Sequence, residues 1–314
     1  MSFTAKDVQA LREKTGVGMM DCKKALQASD GDMDKAIDFL REKGLAAAMK
    51  KSTRVAAEGA VLAYNDEDKK VGVVVEVNSE TDFVAKNEVF QAFVLDIAKT
   101  IAAENPADVD ALLNVKLAGS DRTVQENLQD KVLSIGENLK IRRFVRHEGI
   151  VSTYVHMGGS VGVMVYFDTD DATAAKPEFK AMGKDVAMQI AAMSPLYLCR
   201  EEVPADVIEH EKSINLAQIK EDPKMANKPA QIKEKIAAGK INAFYKENCL
   251  LQQDFVRSDL FQGSVEGYIA DAAKKLGGKV TFVDAIHYIK GEGIEKKVDD
   301  FAAEVAAQVA GAGK

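Results

Sequence analysis

The chain is poor in the residues that most often carry chemistry. Its three cysteines, Cys22, Cys199 and Cys249, are odd in number and far apart, which leaves neither a disulfide framework nor a zinc spacing. They read as small hydrophobes. Its four histidines, His147, His156, His210 and His287, have no evident nucleophile beside them. His147 and His156 fall on or beside predicted strands, the other two elsewhere. There is no phosphate-binding glycine loop and no dinucleotide fingerprint. No apolar run approaches a membrane span. Positive charge is not in excess: 42 Lys and Arg stand against 49 Asp and Glu, a net −7. That argues against a nucleic-acid footprint, which needs a basic face. The opening MSFTAKDVQAL mixes acid and base and has no apolar stretch, so no signal peptide is expected. The expectation is a cytoplasmic protein with no catalytic residues, metal or cofactor of its own.

What is present is an ordinary soluble composition, 46% apolar and 29% charged, over 314 residues, enough for two or three domains. In residues 1–54, Thr4 with Asp7 reads as a helix N-cap and Thr15-Gly16-Val17-Gly18 as a break. A second helix runs Met19–Leu26 with Ala25 and Leu26 inward. Asp32 caps a third, carrying Ile37, Phe39 and Leu40, and Gly44 is a plausible C-terminal cap. The basic, alanine-rich Leu45–Arg54 reads as a helical or flexible linker. Three short helices make a very small core, which suits a docking module better than an enzyme. Its contact surface is placed at the first loop with Met19 and Met20, because methionine adapts to irregular partners. One of the two is expected to be core.

Residues 55–293 contain a repeat. Glu58-Gly59…Tyr64 aligns with Glu148-Gly149…Tyr154, and Val71–Val75 with Val161–Val165, at a constant offset. Each copy reads strand, turn, strand, loop, helix, and each ends on a later strand, Ile141–Arg146 in one and Val280–Lys290 in the other. The helices carry matching apolar stripes, Phe90, Phe93, Ile97 and Ile101 against Phe179, Met182, Val186 and Ile190. The fold class is therefore α+β, a duplicated core with small antiparallel sheets, repeat 1 over 55–147 and repeat 2 over 148–293. Pro106–Gly119 reads as a turn and loop, and Thr123 with Glu126 as a capping box opening a helix to Ile135. Repeat 2 is longer. Helical patterns on either side of a Pro223–Pro229 turn predict a hairpin inserted at about 204–246. A narrow stripe of Val298, Phe301, Val305 and Val309 predicts a C-terminal helix in 294–314.

The copies differ where the chain is most suggestive. Between strand and helix, repeat 1 carries Thr81-Asp82-Phe83-Val84, an acid–aromatic tip with no counterpart in Phe167–Ala172 of repeat 2. One reading has Thr81 or Asp82 capping the helix and Phe83 stapling it to the core. The other has Phe83 at a loop tip as an anchor for a partner. A tip needed for folding should occur in both copies, which favours the second reading.

Two stretches then resemble a known family. Leu11–Leu26, LREKTGVGMMDCKKAL, and Glu76–Lys86, EVNSETDFVAK, resemble the two signatures of bacterial elongation factor Ts, and the likeness runs over essentially the whole chain. The family exchanges guanine nucleotide on elongation factor Tu, a GTPase that brings its own magnesium and nucleotide. The resemblance implies a ubiquitin-associated-like N-terminal module in which Arg12, Met19 and Met20 meet the partner's GTPase domain. It implies that Thr81, Asp82, Phe83 and Val84 act at that domain's magnesium and phosphate site, and that His156 is a further contact. Ser160 stands where a basic residue is expected. Direct contact with nucleic acid or membrane is not implied. A scaffold that binds without exchange, or an enzyme whose pocket is assembled from distant residues, are the competing classes.

Overall fold

The computed structural model describes residues 3–222 and 228–295. The sequence-predicted C-terminal helix and most of the Pro223–Pro229 turn lie outside the described residues. Three helices open the chain: α1 (Ala5–Thr15), α2 (Met19–Ala28) and α3 (Met33–Lys51). Thr4 and Asp7 form the expected capping box, and Asp32 accepts from the amides of Asp34 and Lys35. Gly16, in the left-handed region at φ 68°, ends α1. Val8, Leu11, Cys22, Leu26, Ala36 and Leu40 form their shared core.

Two expectations fail here. Gly44 does not end α3, which continues unbroken to Lys51, inside the predicted linker. A Cβ at Gly44 would lie 3.5 Å from the Gln129 carbonyl, so this glycine marks a close helix crossing. Phe39 is exposed, one step off the buried Ala36–Leu40 face.

The first repeat contains β1 (Glu58–Asp66), β2 (Val71–Ser79), the single turn α4 (Asp82–Ala85), α5 (Glu88–Glu104), α6 (Val109–Asn114), α7 (Val124–Ile135) and β3 (Lys140–Glu148). The second contains β4 (Ile150–His156), β5 (Val161–Asp168), the turn α8 (Asp171–Ala174), α9 (Pro177–Met193), the hairpin pair α10 (Ala205–Glu221) and α11 (Ala230–Asn248), α12 (Val265–Leu276) and β6 (Thr281–Ile289). Helix α6, capped by Asp108, corrects the reading of 106–119 as loop. His287 lies on β6, so it too is a strand residue.

Each repeat forms one antiparallel three-stranded sheet, ordered β1-β2-β3 and β4-β5-β6. Alternation along β2 separates two faces. Val71, Val73, Val75 and Val77 meet Phe90, Phe93, Ile97 and Ile101 of α5. The other face, with Gly72 and Val74, meets the second sheet. In β5, Val163, Val165 and Phe167 meet α9 and α12, while Met164 and Tyr166 turn inward to join Val61, Val74 and Val151. The layers are thus helices, sheet, sheet, helices. The central strands are buried on both faces, which is why Val71–Val75 reads as a continuous apolar run.

Glycine sets the approach of the sheets. A Cβ on Gly72 would lie 2.7 Å from Cγ2 of Val151, and one on Gly162 would lie 2.4 Å from Cγ1 of Val61. These two pairs are each other's repeat equivalents. The hairpin by contrast buries little, a seam of Ile219, Ala237 and Ile241 crossed by a Lys240–Gln218 hydrogen bond of 2.7 Å. Gly72→Ala and Gly162→Ala should each lower stability by roughly 1–3 kcal/mol through overpacking. Urea midpoints test this; a midpoint unchanged in both variants would mean the sheets do not meet as described.

Candidate partner-binding site

The tip grows from the end of β2. Strand pairing carries through Ser79, opposite Glu58, and the chain then turns into the four-residue α4. Val84 and Ala85 face the core and anchor the turn, whereas Phe83 stands 80% exposed. The staple reading of Phe83 is therefore wrong for this fold. The capping reading fails as well: the long helix α5 is capped by Asn87, which accepts from the amides of Val89 and Phe90, and Thr81, at the N-cap position of α4, makes no side-chain cap bond. Its hydroxyl instead donates to Oε1 of Glu137 at 2.6 Å. Asp82 faces solvent. Lys86 donates to its carboxylate at 2.7 Å and holds the group below the ordinary carboxylate range, with help from the charge of Lys290. The repeat equivalent of Phe83 is Ala172, in α8, so the scaffold is duplicated and the ring is not.

His156 lies at the same end of the double sheet. The turn after β4 brings the Gly159 carbonyl to the amide of Val61 at 2.8 Å. Lys290, at the end of β6, pairs with Glu58 at 2.5 Å, next to the root of the tip. The His156 ring is exposed, with Nδ1 2.9 Å from the Tyr154 hydroxyl. Beside it Met157 is 76% exposed and held at φ 47°, an apolar loop residue the sequence reading passed over. The hydroxyl of Ser160 donates to the Met157 carbonyl and closes this turn.

On the N-terminal module Arg12, Met19 and Met20 are all exposed. The expectation that one methionine is core is wrong: Cys22, Ala25 and Leu26 fill the inward face of α2, and both methionines project at its first turn. Arg12 and Met19 line one shallow depression with Gly16. Helix α3 joins the module to α7, where Lys51 donates to the Val132 carbonyl and Leu133 packs on the module's core.

Glu76 is the strongest electrostatic feature near the tip. It is fully buried on the inward face of β2. A bulge in β3 leaves Arg142 between the paired Arg143 and Ile141, so both arginines reach the carboxylate, at 3.0 and 2.7 Å. Asn78 and the amide of Gly291, beyond β6, complete the set at 3.1 and 2.8 Å. Burial pushes the carboxyl up, but these donors outweigh it and hold its pKa below the ordinary value. Among the described residues no cluster of His, Cys, Asp and Glu could hold a metal, and no helix is long and apolar enough to cross a membrane.

Residues 80–292 match the model of the family described as Elongation factor TS. Proteins named Elongation factor Ts are similar over nearly the whole chain. That of Trichlorobacter lovleyi is 47% identical, covering 98% of this chain and 98% of that protein. That of a Nitratiruptor species is 48% identical over 98% and 100%. One from Clostridium botulinum is 45% identical over 98% and 99%.

The buried carboxylate also sets an acid response. A folded-state pKa below the unfolded value stabilises above about pH 4.5, and that increment is lost as pH falls through the lowered folded value. Glu76→Gln leaves Arg142 without its ion-pair partner and Arg143 with Glu292 alone, and should cost about 3–5 kcal/mol at neutral pH. Its thermal midpoint should also fall less than that of the unsubstituted chain between pH 5 and 3. Parallel melting curves with equal acid slopes would show that Glu76 is not charged in the fold.

Proposed function

Since the chain belongs to the elongation factor Ts family, and so is a translation elongation factor, we propose that it is the guanine-nucleotide exchange factor of elongation factor Tu. It binds the GDP form of that GTPase, releases GDP, and leaves the site open for GTP. The observation that carries this reading is the Phe83 ring, 80% exposed on a turn anchored by the buried Val84 and Ala85. Burying a Phe side chain is worth roughly 1.5–3 kcal/mol, which the isolated fold forgoes and a partner's apolar crevice recovers.

In such GTPases magnesium and phosphate contacts hold the nucleotide, and the ion neutralises phosphate charge. Phe83 wedges between elements of the partner and Asp82 holds the displaced arrangement, so the ion's shell and the phosphate loop come apart. Val84 and Thr81 root the wedge. Arg12, Met19 and Met20 dock the N-terminal module on the GTPase domain, and His156 with its turn adds a second contact. The chain works in three pieces: a docking module (1–54), the tip-bearing repeat (55–147) and a second repeat (148–293) from which the hairpin projects. No covalent bond is made or broken. Linkage makes the effect reciprocal: a factor that weakens nucleotide binding is itself bound more weakly when nucleotide is present.

Phe83→Ala should fold with an unchanged melting curve and lose at least about tenfold of the stimulated GDP release, or ~1.4 kcal/mol. Stopped-flow release of a fluorescent GDP from elongation factor Tu reads this directly; full stimulation would remove Phe83 from the mechanism. Replacing Met19 and Met20 together by Ala should raise the factor concentration needed for half-maximal release several-fold and leave the saturating rate close to its original value, as expected for contacts that bind without prying. A lowered saturating rate at unchanged half-saturation would refute the docking role.

A further inference from the structure

We infer that Glu137 is a positioning residue for the Phe83 wedge, holding the tip from outside its own element; this rests on the exchange role of the tip. Glu137 lies in the connection from α7 to β3, just after Gly136, which ends α7 in the left-handed region at φ 89°. Its Oε2 accepts from the amides of Glu80 and Thr81, both at 3.0 Å, and its Oε1 accepts from the Thr81 hydroxyl at 2.6 Å. One carboxylate thus occupies the three donors that enter α4. The clasp is reciprocal. Glu80 reaches back to accept from the amide of Asn138 at 2.6 Å, and Asn138 in turn donates to the Arg54 carbonyl at 2.8 Å. The Ser79 hydroxyl fixes the Thr81 carbonyl at 2.9 Å.

The second repeat serves as an internal control. There the N-cap residue Asp170 caps its own turn, accepting from the Thr173 amide and hydroxyl at 2.9 and 2.8 Å. The position equivalent to Glu137 is Gly278, one step after the helix-ending Gly277, and a Cβ there would fall 2.4 Å from the Thr173 hydroxyl oxygen. The copy without the ring has no room for the clasp and does not use it. The copy with the ring makes no cap of its own and takes its anchor from 56 residues away along the chain. Bonds to a charged acceptor are the stronger kind, and three of them on one turn fix the direction of a side chain that has no core contact of its own. An exposed ring on a loose turn would bind without levering, since small misplacements of a positioned group lower rates steeply.

The experiment is a double-mutant cycle on fluorescent-GDP release from elongation factor Tu, using the full chain, Glu137→Ala, Phe83→Ala and both together. Glu137→Ala should lower the saturating release rate about tenfold and leave half-saturation within about twofold. In the Phe83→Ala background it should change the rate by less than about twofold. Glu137→Gln, which keeps size and one acceptor oxygen, should fall between, with faster hydrogen exchange at the Glu80 and Thr81 amides; it decides the matter if Glu137→Ala does not fold. A full rate in both Glu137 variants overturns the inference. So does an equal loss with and without the ring, which would make Glu137 a general support of the fold. A full rate in Phe83→Ala alone overturns the tip reading itself, and the single variant shows it.

Discussion

Two sheets that lie back to back are held apart by the bulk of their facing side chains, and here the limit is set by hydrogen atoms. Gly72 receives Val151, and Gly162 receives Val61, at distances no Cβ could share. The arrangement has the symmetry expected of a duplication, since each repeat supplies one glycine and one valine. Because the inward faces are sealed against each other, each outward face must be covered by the helices of its own repeat, α5 on one side and α9 with α12 on the other. What remains free of packing duty is the ends of the strands. The tip after β2, the turn after β4 and the exit of β6 meet at one such end, tied by the Val61–Gly159 and Lys290–Glu58 contacts.

The same inward face carries a charge. At the position where repeat 2 has Tyr166 stacked on His147 with centroids 3.8 Å apart, repeat 1 has Glu76. A buried carboxylate is costly unless every donor it needs is present, and stability alone rarely favours it over a well-packed apolar group. Its partners suggest what it secures. Arg143 continues to the Glu292 carboxylate at 3.1 Å, and the Gly291 amide closes on Glu76, so the end of repeat 2 is registered against the strand that leads to the tip. The bulge that lets two successive arginines face one way recurs in β6, where Val283 is the extra residue and stands exposed. The device is duplicated and its use is not.

How far the sequence could be read follows from the range of each interaction. Capping pairs three residues apart, Thr4 with Asp7 and Thr123 with Glu126, are local, and the helices start where they say. The period-two and period-3.6 patterns of β2 and α5 report burial directly, so the repeat and its sheets were legible. Gly44 is ambiguous in sequence because a glycine that ends a helix and a glycine that lets another helix approach look alike until Gln129 is seen against it. General tendency divides Met19 and Met20 between core and surface, whereas the inward face of α2 is already filled by Cys22, Ala25 and Leu26. Phe83 stands out as a candidate by its absence from the second repeat. Glu137 does not, since nothing near it in the chain announces three donors that arrive from the end of β2.

On the proposed reading, an exposed ring separates binding from exchange only if its base is stiff. Association loses free energy to ordering whatever was mobile, and a flexible tip would give up much of its burial energy in that way. A tip already ordered in the free protein can direct the same energy into displacing the partner's groups. The repeat comparison bears on this choice. Both copies end their central strand in a one-turn helix, so rigidity was available from the duplicated scaffold, with Asp170 showing the self-capped form. Repeat 1 replaces that local cap with a carboxylate anchored in the connection from α7 to β3, and α7 is also where α3 and the N-terminal module pack. The ring and the exposed Met19 and Met20 are therefore referred to one helix. On that proposal a force applied by the partner on the tip would be resisted through Glu137 by α7, and through α7 by the module proposed to dock on the same partner.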